Sequence, residues 1–183
     1  MHTILRPYRR LAYAILRGLH FIGMTLFLGV IVADIVIDGY AQTQSAAFLA
    51  DTRTLVSLTG LQLPLLGLAL LALTGVAMTA LRYGSRPPAW VVAKLVLTVA
   101  IFGNALAFLF PAIRAATHWA AVSAEQGHAL PGHVLPEYAA AAAREGAFGA
   151  ANLLMFVLAG ALAIWKPAFR RGASRALATA RQQ

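Results

Sequence analysis

The sequence predicts an all-α polytopic membrane protein: an antiparallel bundle of four transmembrane helices with both termini cytoplasmic. Three observations carry this. Hydrophobic residues make up 60% of the 183-residue chain and charged residues only 11%, a balance foreign to water-soluble domains. Four apolar stretches each reach about the ~20 residues that a spanning helix needs. Basic residues are dense in alternate inter-helix segments and sparse in the others.

The four spans fall at Leu11–Ile37, Leu58–Leu81, Ala89–Ile113 and Gly146–Trp165. The first is too long for a signal-peptide core and has no A-x-A-like site, so it reads as an uncleaved helix. The second is interrupted only by Gln62 and Pro64 near its start. "GSRPP" then breaks the chain before the third span, and the fourth leads into a basic tail, 166–183. No span is visibly broken mid-membrane, and the whole reads as one domain. Segment 38–57 is a loop in which "SAAFLADTRTLVSL" suits a short amphipathic surface helix. Segment 117–144 is a second loop, in which the alanine-rich "EYAAAAAREG" favours helix. Trp90, Trp119 and Trp165 sit near predicted helix ends, as aromatic belt residues do. Glycines recur in the spans (Gly23, Gly67 and Gly149 among them), which suits close helix packing or space for a flat cofactor.

Orientation follows from counting charge. Arg6, Arg9, Arg10 and Arg17 precede or begin the first span. Arg82, Arg86 and Lys94 surround the second hairpin turn, and Lys166, Arg170, Arg171, Arg175 and Arg181 fill the tail. These twelve oppose Arg53, Arg114 and Arg144, while all six acids lie on the poorer side. The positive-inside rule then places both termini in the cytoplasm of a bacterial cell, in its inner membrane. The basic tail suits anionic lipid headgroups. A net charge of +9 spread between apolar runs does not make the dense basic face of a nucleic-acid binder. The absence of cysteine excludes disulfides, thiolate metal sites and cysteine nucleophiles.

Polar residues within the spans are the candidates for function. His20 lies nine residues past Leu11, roughly 14 Å into the span at 1.5 Å per residue. Arg17, His20, Met24 and Phe27 share a helix face, and Asp34 returns to within about 40° of His20. That stripe should face the bundle interior, with Arg17 snorkelling to the headgroups and Asp34 near the opposite interface. Two roles are open to His20: a neutral histidine hydrogen-bonded to a neighbouring helix, or a haem ligand or proton-handling group. Lys94, five residues into the third span, enters from the same side and can share a cavity with His20. Predicted spans two to four contain no histidine, which argues against bis-histidine haem. A haem b at His20 would take Lys94, Met24, Met78 or Met155 as second ligand, or remain five-coordinate. His118, His128 and His133, with Glu125 and Glu137 nearby, form a separate candidate site for copper or zinc.

"GLHFIGMTLFLG" and "WVVAKLVLTVAIFGNAL" resemble helices one and three of the HemJ-type protoporphyrinogen oxidases and of the CopD-type membrane domains. In the CopD type an asparagine follows the helix-three lysine by about three turns, matching Asn104. "IWKPAFRR" resembles the end of the HemJ helix four. The layout is also similar to an uncharacterised family of four-helix membrane proteins, whose last helix opens with an "NLL" element like Asn152–Leu154. The HemJ resemblance implies haem b binding and oxidation of a tetrapyrrole, with His20 and Lys94 in the important positions.

Three functional classes follow. One is a redox protein with a single haem b between helices one and three. The second is a membrane scaffold or accessory subunit without cofactor, and a homo-oligomer is compatible with it. The third handles copper or zinc through the loop histidines. The sequence contains no Gly-rich phosphate loop, G-x-S-x-G elbow or H-E-x-x-H motif, so soluble enzyme classes have no foothold.

Overall fold

The computed structural model describes residues 5–127 and 133–166. His128 and the tail from 167 onward lie outside the described residues. The described residues are helical, with no strand: α1 (Leu5–Ala41), α2 (Ala46–Tyr83), α3 (Ala89–Asn104), a π-helical turn (Ala105–Leu109), α4 (Phe110–Glu125) and α5 (Pro136–Trp165). Since α3, the π turn and α4 run on as one helix, four helices are long and apolar enough to cross a membrane.

The helices outrun the apolar stretches. The 37 residues of α1 span about 56 Å at 1.5 Å per residue, against ~30 Å of hydrocarbon. Segment 38–57, expected as a loop, contributes only the link 42–45 between α1 and α2. Ser45 starts α2 as its N-cap, its Oγ accepting from the Phe48 N–H at 3.3 Å. Segment 117–144 likewise continues α4 to Glu125, and "PEYAAAAAREG" becomes the first turns of α5. Alanine explains why these ends remain helical beyond the apolar runs. It also explains their packing: Ala41, Leu49, Ala50, Ala116, Ala120, Tyr138 and Ala141 form a buried cluster there. At the other end of α2, Gly84 at φ 61° ends the helix in a conformation unfavourable to residues with a Cβ.

Contacts between α1 and α2 step along both helices. Arg9 donates to the Leu81 carbonyl at 2.7 Å, His20 meets Thr74, and Asp38 meets Arg53, the sequence separation falling from 72 to 54 to 15. The backbones come closest where Gly23 faces Gly67. A Cβ on Gly67 would sit 2.7 Å from the Phe27 nitrogen and 2.8 Å from the Gly23 oxygen, so only glycine permits this approach. A second core forms beside it from Phe27, Leu68, Leu71 and Ile101, with Met24, Phe102, Met155 and Phe156 packed around. The α1 backbone packs closely on α2 alone. Its bridge to α5 is made by side chains, Phe27 and Phe156 having ring centroids 5.2 Å apart.

Two prolines interrupt the backbone hydrogen bonding of the walls between these cores. Pro64 lies buried inside α2 and cannot donate to the Gly60 carbonyl. Pro111, at the start of α4, has no N–H for the carbonyl four residues back. The chain widens into the π turn just before it, the Phe110 N–H reaching the Ala105 carbonyl. The third span is therefore continuous, as expected, but not regular. Outward-facing residues are strongly apolar: Leu73, Val96, Val99 and Ile164 are 62–78% exposed. Such surfaces suit lipid and would drive aggregation in water.

Candidate functional site

Between the two cores lies a partly open cavity of about 530 Å³, lined by α1, α2, the π turn, α4 and α5. Its walls are apolar, with Phe27, Ile31, Leu68, Leu109, Phe110 and Leu153 among them. Pro64 and the π turn border it directly, the turn through Ala105 and Leu109 at its two ends. Gly146 also lines it, and a Cβ there would meet no other atom within 4 Å.

The rim is charged. Arg53, only 2% exposed, donates from Nη1 to Glu145 Oε2 at 2.5 Å and from Nη2 to Asp38 Oδ2 at 2.8 Å. Nη2 also reaches the Tyr138 hydroxyl oxygen at 3.2 Å, while the guanidinium carbon lies 5.5 Å from the Tyr138 ring centroid. On its remaining edge, Nε lies 2.6 Å from Asp38 Oδ1. The angle there is too poor for a hydrogen bond, leaving an ion-pair contact. Gln42 donates to Asp38 Oδ2 at 2.7 Å. One arginine thus ties α1, α2 and α5 together, in the forked geometry that guanidinium offers to carboxylates.

Asp34 lies deeper on α1 and lines the same cavity. It makes no hydrogen bond or ion pair among the described residues. Its carboxylate rests against Gly60, where a Cβ would come within 2.6 Å of Oδ2. Asn152, 2% exposed, lines the cavity as well. Asn104 donates to Asn152 Oδ1 at 2.8 Å and to the Phe148 carbonyl at 2.9 Å. With Oδ1 as acceptor, the Asn152 amide nitrogen has no acceptor among the described residues.

His20 and Lys94 lie outside this cavity. Along α1, His20 is fourteen residues from Asp34, about 21 Å at 1.5 Å per residue. Its Nδ1 is 2.8 Å from Thr74 Oγ1. The Thr74 hydroxyl itself donates to the Leu70 carbonyl at 2.6 Å. Its oxygen is therefore the acceptor for Nδ1–H, which leaves Nε2 as the lone-pair nitrogen. Lys94 is close enough for its charge to be felt at the imidazole, and its ammonium has no partner among the described residues. The backbones of α1 and α3 do not pack closely. As chemistry, then, His20 could offer a nitrogen donor to a haem iron, but the 530 Å³ cavity does not extend to it.

Of the three loop histidines, His118 and His133 fall within the described residues. His118 is exposed on α4 with its ring 5.2 Å from that of Trp119, and His133 is exposed ahead of α5. Among the described residues no group of three His, Cys, Asp or Glu is placed to hold a metal ion.

The sequence singled out Asp34, Asn104 and Asn152, but not the Arg53–Asp38–Glu145 cluster. Its one visible signal was that Arg53, like Arg114 and Arg144, lies in the segments that carry all six acids. No family model, curated protein or solved structure matches the chain.

Proposed function

We propose that this chain is a multi-pass protein of the bacterial inner membrane that binds a small organic molecule in its outer half. In this reading the bundle is antiparallel and both termini are cytoplasmic, with Arg9, Arg10 and Arg82 facing anionic headgroups. The observation that carries it is the cavity itself. At about 530 Å³ it falls within the range of small-molecule sites, apolar with a few placed polar groups. Native mass spectrometry of protein released from nanodiscs tests the reading. A bound non-protein mass is expected in the wild type and not in Gly146→Phe, which fills the space. Equal retention by both would refute it.

A haem b held by His20 remains a second reading, favoured by the lone-pair Nε2 and the unpartnered Lys94 beside it. Bound haem would supply one-electron chemistry, with Thr74 fixing the ring through Nδ1. Haem-supplemented protein is expected to show a Soret band that His20→Ala removes. A flat spectrum in the wild type ends this reading.

A further inference from the structure

We propose that the cavity takes a lipophilic organic monocation, an ammonium or phosphonium centre on an apolar body, with its charge beside Asp34. This rests on the reading of the cavity as a ligand site and names the class of ligand.

Charge is the first reason. Asp34, Asp38, Glu145 and Arg53 all line the cavity, three carboxylates against one guanidinium. Arg53 makes its ion-pair contacts with Asp38 and Glu145 and none with Asp34. A carboxylate beside apolar walls with two further carboxylates near it and no cation in contact is costly, and an incoming cation reduces that cost. Gly60 keeps the carboxylate in place, since any side chain there would push it away.

Shape is the second. From Asp34 to Phe27 the cavity extends seven residues along α1, about 10 Å, between hydrocarbon walls. A hydrated inorganic ion would surrender water to surfaces that offer nothing in return, and the acids are not placed to ligate a metal. A weakly hydrated organic cation loses little, and Phe27 and Phe110 among the lining residues add aromatic surface for its apolar body. Asn152, 2% exposed and lining the cavity, has no acceptor for its amide nitrogen among the described residues and adds a donor for an acceptor atom on the ligand body. Access is lateral: the α1 and α5 backbones do not pack closely, so a membrane-dissolved molecule enters between them.

Equilibrium binding to the full chain in nanodiscs, corrected with empty nanodiscs, tests this with three probes of similar size. These are tetraphenylphosphonium, tetraphenylborate and neutral triphenylphosphine oxide. Saturable binding of the phosphonium is expected, weakened at least tenfold in Asp34→Asn and Gly60→Ala and abolished in Gly146→Phe. Asp34 has no partner to lose, so Asp34→Asn should melt with the wild type, which separates lost binding from lost fold. Undiminished phosphonium binding by Asp34→Asn overturns the inference, as does equal affinity for the borate. Saturable binding of the neutral probe alone, blocked by Gly146→Phe, overturns the cation and leaves the ligand-site reading standing. If Gly146→Phe blocks no probe, both fall.

Discussion

Arg53 and Glu145, 92 residues apart in sequence, meet through a 2.5 Å hydrogen bond that joins α2 to α5. The same guanidinium holds Asp38 of α1. Three helices are thereby pinned at one end, alongside the buried alanine cluster. A few turns along, the Phe27–Phe156 contact and its neighbours close the bundle again. A void between two fixed layers does not collapse easily, because relaxation would have to break one of them. The charged rim therefore preserves the space beneath it as well as facing it.

Removing Arg53 should be among the most damaging single changes. In Arg53→Met, Asp38 and Glu145 are left without their counter-charge, at a cost of about 3 kcal/mol or more. At roughly 2–4 °C per kcal/mol for a chain of this size, thermal unfolding in detergent should shift down by about 10 °C. Adding Asp38→Asn and Glu145→Gln to the same variant should recover part of the loss, since no unpaired charge then remains. A triple variant as unstable as the single one would show that charge compensation is not the cause.

The Gly23–Gly67 approach predicts a contrast between glycines. Gly67→Ala must force α1 and α2 apart or shift the Phe27 backbone, and overpacking of this kind costs about 1–3 kcal/mol. Gly18, with nothing within 4 Å of a built Cβ, should accept alanine without loss. Thermal melts of the two variants side by side provide the check. Equal stability would remove the close approach as a determinant of the pair.

Four helices were legible in the sequence because lipid imposes a simple pattern, a long apolar run with charge at its ends. Their true lengths were not. Residues 46–57 and 136–145 mix charge with alanine, and their helicity comes from the Ser45 cap and alanine packing rather than from an apolar run. Asp34 was legible by helical periodicity, since it shares the His20 face. Arg53, Asp38 and Glu145 were visible only as scattered charges. Pairing them requires the register of α1, α2 and α5, which no local pattern supplies. The cavity was illegible for a similar reason: Pro64 can be read as a kink, but an empty volume belongs to several helices at once.

The His20–Thr74 hydrogen bond predicts a definite tautomer. With the Thr74 proton committed to Leu70, His20 should be protonated on Nδ1 and bare on Nε2. Nitrogen-15 chemical shifts of selectively labelled histidine report this directly. Thr74→Val removes the acceptor, should cost about 1 kcal/mol, and should let the tautomers mix. A wild-type ring protonated on Nε2 would reverse the hydrogen-bond direction and leave no lone pair there for a metal.

Orientation is testable cleanly because the chain has no cysteine. Thr43, in the α1–α2 link, and Ser85, in the turn after α2, are both exposed and stand at opposite ends of α2. The excess of arginine around Ser85 predicts that this turn is cytoplasmic. In intact spheroplasts, a membrane-impermeant maleimide should label Thr43→Cys promptly and leave Ser85→Cys unmodified until the membrane is opened. The reverse pattern would invert the protein, turn the cavity toward the cytoplasm, and require its ligand to come from the inner leaflet. Labelling of both in sealed cells would show that the two turns do not lie on opposite sides, and the spanning assignment of α2 would fail.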